Sequence, residues 1–156
     1  MQTAKELNVY NPEFFSVTFG AGGSTKEKTL DTVLDLKKSG FNATPHISCI
    51  SSSKAEIKEL LDKYKANKIN HLVALRGDNP SGSINFGELN YANELVNFIK
   101  SEMGDAFKID VGAYPEVHPE SETAKQDFIN FKNKVEAGAD SAITQFFYNV
   151  DASFKS

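Results

Sequence analysis

Polar side chains with chemical potential gather at the ends of five apolar runs in this sequence. Thr18 stands ahead of Gly20-Ala21-Gly22-Gly23, His46 lies within the second run, Arg76-Gly77-Asp78 ends the third, Tyr114-Pro115-Glu116-Val117-His118-Pro119-Glu120 follows the fourth, and Gln145 falls in the fifth. The glycine between Arg76 and Asp78 lets a ligand approach the backbone closely. A glycine-rich loop running into a helix can present N–H groups to an anion.

Each cluster also has a plainer reading. The glycine loop can be only a strand-to-helix turn, and it lacks the G-x-G-x-x-G spacing of a dinucleotide fingerprint. His46 can be a satisfied core histidine. Arg76 and Asp78 can pair with one another, and Asp78-Asn79-Pro80 can simply start a turn. Glu116, His118 and Glu120 lie on an irregular proline-stiffened loop with no second histidine nearby, which argues against a metal site. Asp127, Asn130 and Lys134 recur at helical spacing and form a stripe that can be a solvated face.

The elements that must position these residues alternate. Apolar runs at 14–19, 43–49, 71–76, 109–114 and 142–147 recur roughly every thirty residues, the length of a βα unit. Ser24-Thr25-Lys26-Glu27 and Ser53-Lys54-Ala55-Glu56 read as capping boxes. Leu30, Val33 and Leu34 then form one apolar face, and Ile57, Leu60, Leu61 and Tyr64 another. A third helix is expected over 91–103, ending at Gly104. A fourth is expected over 122–137, with Ala124, Phe128, Phe131 and Val135 on its apolar side and Gly138 after it. Such alternation predicts an α/β fold with a parallel sheet, which brings all the strand ends to one edge. Periodicity alone leaves an open doubly wound sheet and a (β/α) barrel equally possible; in both, that edge binds ligands.

Composition narrows the partners. The net charge is −4 over 156 residues with both signs interspersed, which argues against a nucleic-acid-binding face. Cys49 is the only cysteine, so an internal disulfide is excluded and a reducing compartment is expected. Residues 1–7 lack the apolar run of a signal peptide, and no stretch is long and apolar enough to span a bilayer as a helix. A cytoplasmic location and no membrane partner are the expectation.

Five blocks, taken in order and spacing, resemble the core motifs of bacterial methylenetetrahydrofolate reductases: Phe15-Ser16-Val17-Thr18-Phe19-Gly20-Ala21, Pro45-His46-Ile47-Ser48-Cys49, Ala74-Leu75-Arg76-Gly77-Asp78, Tyr114-Pro115-Glu116-Val117-His118-Pro119 and Ala142-Ile143-Thr144-Gln145-Phe146-Phe147. The resemblance implies a TIM-type (β/α) barrel that binds FAD at its strand ends. NADH or NADPH would reduce the flavin, and methylenetetrahydrofolate would then accept a hydride. It assigns cofactor contacts to Thr18, Phe19, Ala21, His46, Arg76, Gly77, Asp78, Tyr91, Ala92, Tyr114, His118, Asp127, Asn130 and Lys134. Asp78 and Gln145 would act on the substrate in catalysis. Where the family often has a basic residue just before the lysine, this chain has Asn133.

Two departures from the family pattern stand out. Members begin with a strand carrying a glutamate that serves as general acid, and Glu13-Phe14-Phe15 does not match it, because it runs straight into the second-strand block. A TIM barrel takes roughly 250 residues, so 156 correspond to about five of its eight strands. The expectation is therefore a single domain over 1–156, a partial barrel without the first and last strands. Its open sheet edges favour homo-oligomers. A truncated, non-catalytic flavin- or folate-binding fragment is the alternative.

Overall fold

The structure, a computed structural model, describes residues 2–19, 26–50, 52–77 and 87–149. After a short helix α1 (Gln2–Leu7) and a 3₁₀ turn, strands and helices alternate: β1 (Phe15–Val17), α2 (Lys26–Lys38), β2 (Ala43–Ser48), α3 (Lys54–Ala66), β3 (His71–Leu75), α4 (Ala92–Met103), β4 (Lys108–Ala113), α5 (Ala124–Glu136) and β5 (Ser141–Thr144). The expected alternation holds; β4 and β5 begin one residue before their apolar runs, and every strand ends one to three residues before its run does. Helix α1 is an addition that no sequence signal announced.

Local chemistry explains where the helices start. The Ser53 side chain accepts the Glu56 N–H, and the Glu56 carboxylate accepts the Ser53 N–H at 2.7 Å, so the expected capping box opens α3. Thr123 Oγ1 accepts the Gln126 N–H at 3.1 Å and opens α5. Ahead of α4, the Glu94 carboxylate reaches back to the Asn90 N–H at 2.7 Å. Each contact satisfies a first-turn donor or the one just before it, which a helix cannot bond internally.

The five strands are all parallel and lie in the order β1-β2-β3-β4-β5. A doubly wound sheet reverses its order at a switch point and carries helices on both faces. Here every crossover advances by one strand in the same direction, so the sheet curls as a half-barrel with its helices on one side. Ile47, Leu72, Ala74, Ile109 and Val111 face those helices. They pack with Ile57, Leu60, Leu61 and Tyr64 of α3 and Leu95, Val96 and Ile99 of α4 in one buried core.

The alternate strand positions carry a polar ladder across the other face. Thr44 Oγ1 and His71 Nδ1 are 3.1 Å apart, and His71 Nε2 is 2.8 Å from Asp110 Oδ2. Ser141 Oγ donates to Asp110 Oδ1. One hydrogen-bonded chain thus ties β2, β3, β4 and β5 together, with Asp110 only 2% exposed. The order hydroxyl–imidazole–carboxylate resembles that of a catalytic triad. Thr44 is 2% exposed, though, so its hydroxyl is closed to substrate and the ladder is structural.

Tyr64 is fully buried, and among the described residues its hydroxyl finds no hydrogen-bond partner. Burial also pushes the phenol's pKa upward. A buried polar group without a partner loses its hydration and gains nothing back. Tyr64→Phe is therefore expected to leave the thermal midpoint unchanged or raise it by a few degrees. A fall in Tm would mean that the hydroxyl has a partner after all.

Helix α5 departs from expectation. None of its residues is fully buried, and Phe128 and Val135 on the expected apolar side are 55% and 49% exposed. The adjacent stripe turns inward with Phe131: Asp127 and Lys134 are half-buried, while Asn130 stays exposed. Main-chain contacts explain the orientation. Lys134 Nζ donates to the Gly112 carbonyl at 2.6 Å, and the Asp127 carboxylate accepts the His118 N–H at 3.1 Å. Phe131 alone on the apolar side packs against the core.

Candidate functional site

Thr18, Tyr114 and Gln145 directly follow or closely flank the last residues of β1, β4 and β5, and Arg76 directly follows β3. The parallel sheet therefore puts them at one edge, as expected. His46 lies mid-strand in β2, half-buried on the face away from the helices, where burial lowers its pKa. Glu13 precedes β1 and is exposed at the opposite edge, its carbonyl accepting Asn42 Nδ2. Ala21 and Asp78, together with the glycine loop, lie outside the described residues.

Beside that edge, between the ends of β3 and β4 and helices α4 and α5, is a cleft of about 320 Å³. Arg76, Tyr91, Ala92, His118, Asp127, Asn130 and Lys134 all line it, so seven of the expected cofactor contacts converge on one hollow. Asn93, Glu120, Ser121 and Asn133 complete the wall. Asn93 and Asn133 adjoin expected contacts, and Glu120 lies in the loop singled out after the fourth run; Ser121 had no signal. Thr18, Phe19, His46, Gly77, Tyr114 and Gln145 are not among the lining residues. Phe19 packs against the core, and the exposed Gln145 binds the Ala113 carbonyl through its backbone N–H at 2.7 Å.

Hydrogen bonds within the loop after β4 orient its side chains. The Glu120 N–H donates to His118 Nδ1 at 3.1 Å. Because a backbone amide can only donate, Nδ1 is the acceptor there and the ring's N–H donor lies on Nε2. The His118 ring meets the Tyr114 ring edge-on at 4.3 Å between centroids. Val117, between them in the chain, has φ 70°, a conformation a β-branched residue adopts only under constraint. Asp127 supplies that constraint, accepting both the His118 N–H and the Ser121 hydroxyl.

Two cations face the cleft. Arg76 pairs with Glu120 at 2.6 Å, and the pairing with Asp78 allowed by the sequence lies outside the described residues. Lys134 sits over the Phe131 ring, 5.6 Å from its centroid. Desolvation lowers its pKa, an effect that the nearby Asp127 carboxylate partly offsets. Gly77 has φ +85°, and a β-carbon there would stand 2.0 Å from Ser48 Oγ, so only glycine lets the chain turn out of β3 at this point. Cys49 is buried and its thiol is pushed up to about 11, which keeps it protonated and unreactive. Among the described residues no group of histidine, cysteine and carboxylate side chains could hold a metal.

This arrangement is chemically suited to an anionic, partly aromatic ligand. A guanidinium, an ammonium and an imidazole N–H can meet phosphate oxygens, and side-chain amides can read polar edges. Tyr91, 60% exposed at the start of α4, offers a flat ring at the rim.

Comparison with known proteins identifies the family. The family model for methylenetetrahydrofolate reductase matches residues 1–155. The chain is 44% identical over 147 residues to the 5,10-methylenetetrahydrofolate reductase of Escherichia coli (strain K12), covering 94% of this chain and 48% of that protein. It is 43% identical over 148 residues to the enzyme of the same name from Pectobacterium carotovorum subsp. carotovorum, again covering 94% of this chain and 48% of that protein. Against methylenetetrahydrofolate reductase (NADH) 1 of Arabidopsis thaliana the identity is 37% over 160 residues, covering 94% of this chain and 27% of that protein. The chain spans about half the length of the bacterial relatives it matches. On the match along nearly its whole length, and on a half-barrel that agrees with it, this chain belongs to the methylenetetrahydrofolate reductase family.

Proposed function

We propose that this chain carries the FAD-holding part of a methylenetetrahydrofolate reductase, in which a hydride passes from NADH or NADPH through the flavin to methylenetetrahydrofolate, giving methyltetrahydrofolate. The observation that carries the reading is the convergence of Arg76, Tyr91, Ala92, His118, Asp127, Asn130 and Lys134 on one cleft beside the strand ends. The donor set fits the group: cations and an imidazole N–H for phosphates, with amides and a rim tyrosine for the polar and aromatic parts. When bound, the flavin supplies the hydride relay.

The chain's own residues then bind and orient. Arg76 and Lys134 hold the phosphates, and His118 donates through Nε2–H. Asp127 does not face an anion favourably, and its part is to fix the loop that carries His118. Thr18, Phe19, Ala21, His46, Gly77 and Tyr114 are proposed as further contacts to the same cofactor. Asp78 and Gln145 are the proposed substrate residues. Asp78 would stabilise positive charge on the folate as it opens to accept hydride. Gln145 would read the edge of the pterin or of the nicotinamide amide.

The test is a titration of the purified chain with FAD, followed by flavin fluorescence and visible absorption. Binding is expected, and Lys134→Met should weaken it about 10- to 100-fold, as expected for the loss of a charge-assisted hydrogen bond. Only the ammonium form attracts phosphate, so affinity is full below the lysine's pKa and lost as pH rises through it. Because that pKa is lowered, the loss should begin on the acid side of the ordinary 10.5. Lys134→Arg should carry binding to higher pH. Failure to bind FAD, or equal affinity in Lys134→Met, would sink the reading.

A homo-oligomeric, cytoplasmic protein is part of the same proposal. Strands β1 and β5 are the outer strands of the described sheet, and Phe146 and Tyr148 just beyond β5 are 77% and 89% exposed. Open strand edges beside exposed aromatics invite association. No helix among the described residues is long and apolar enough to cross a membrane. Light scattering is expected to give a mass above the 17.2 kDa of one chain. A clean monomer at high concentration would count against association.

A further inference from the structure

The charges lining the cleft nearly cancel. Asp127 and Lys134 each keep a fixed partner, the former the His118 N–H and the Ser121 hydroxyl, the latter spending one of its three N–H donors on the Gly112 carbonyl. Arg76 and Glu120 differ in kind. They come from the ends of different strands, meet at 2.6 Å across the cleft, and have side chains 32% and 59% exposed. The backbone of Glu120 is held through its N–H to His118, while its carboxylate rests on the arginine.

We propose that Glu120 is a resident counter-anion for Arg76, and that the phosphate oxygens of an incoming ligand must displace it to reach the guanidinium. An exposed ion pair contributes little net stability, so the swap is energetically small. The glutamate can swing into water and regain its hydration, whereas the more enclosed arginine stays. A ligand bearing one charge merely replaces one anion by another. A ligand with the charge of a diphosphate gains more than the carboxylate loses, so Glu120 raises the threshold for binding and favours highly charged phosphates. This rests on the reading of the cleft as a phosphate site, and it adds an acidic residue acting against binding.

The experiment titrates inorganic pyrophosphate into the wild-type chain, Glu120→Gln, Arg76→Gln and the double variant by calorimetry. Glu120→Gln should bind about two- to five-fold more tightly, and that gain should vanish in the Arg76→Gln background. Far-UV circular dichroism melts confirm that the exposed substitution leaves the fold intact. Unchanged or weaker binding by Glu120→Gln would overturn the proposal, as would the absence of pyrophosphate binding in both proteins. The same gain without Arg76 would overturn it too, since Glu120 would then act on the ligand and not through the arginine. FAD binding is read separately: a gain with pyrophosphate in a chain that ignores FAD keeps this inference and removes the flavin reading.

Discussion

Asp110→Ala is expected to cost about 2–6 kcal/mol of stability, because it leaves two buried hydrogen-bonding groups without a partner at about 1–3 kcal/mol each. Asp110 sits at the centre of the ladder on the helix-free face, accepting from His71 Nε2 at 2.8 Å and from the Ser141 hydroxyl. Its removal leaves an imidazole nitrogen and a hydroxyl facing a gap, each without its partner. It also cuts the side-chain tie between β4 and β5, whose register pairs Asp110 with Ser141. A domain of this size has only about 5–15 kcal/mol in total, so much of the stability would go. Urea unfolding followed by circular dichroism should show a large fall in midpoint. Asp110→Asn should lose less, because an amide oxygen can still accept one bond. Combined with His71→Ala the losses should be far from additive, since both remove the same contact. A loss below about 1 kcal/mol for Asp110→Ala would mean that water takes the vacated place.

Gly77→Ala should damage both fold and binding. The alanine would have to hold φ +85°, which costs about 1–2 kcal/mol for a residue with a β-carbon. That carbon would stand 2.0 Å from Ser48 Oγ, 3.0 Å from Ile50 Cγ2 and 3.1 Å from Ser48 Cβ. Ser48 cannot turn aside freely, because its hydroxyl donates to the Arg76 carbonyl at 2.7 Å. Overpacking typically adds about 1–3 kcal/mol. The relief route is movement of residues 76–77, which carries Arg76 off its place at the cleft. FAD affinity is therefore expected to fall about ten-fold, the loss of roughly one charge-assisted hydrogen bond from Arg76. Adding Ser48→Ala should recover only part of the loss, since the positive φ and the contact to Ser48 Cβ remain. Full recovery would show that the backbone conformation had imposed nothing.

The helices show how far local signals reach. Helix α3 follows its signals closely: the serine–glutamate box, the buried Ile57, Leu60, Leu61 and Tyr64, and a start within a residue of the signal. Capping and amphipathic spacing involve neighbours within one or two turns, so a linear reading captures them. Helix α5 carries equally clear phenylalanine spacing and yet turns its polar stripe inward. Its orientation is set by the Gly112 carbonyl and the His118 amide, both outside the helix and neither visible as a side-chain pattern. The same limit hid the partner of Arg76, which is Glu120 from the next strand's loop.

What the sequence determined by itself is the alternation of strands and helices, the parallel direction that follows from it, and the edge on which the polar strand ends gather. These depend on period, caps and connection length, all properties of short stretches. Tertiary structure decided the rest. The strand order that makes a half-barrel and not a doubly wound sheet depends on which strand each crossover returns to. The Thr44–His71–Asp110–Ser141 ladder depends on register between strands. The division of the polar residues into those that line the cleft and those that lie along the strands depends on how α4 and α5 sit over the sheet. Each is a contact between residues far apart in the chain, chosen by packing and hydrogen-bond geometry, and no local spacing encodes it.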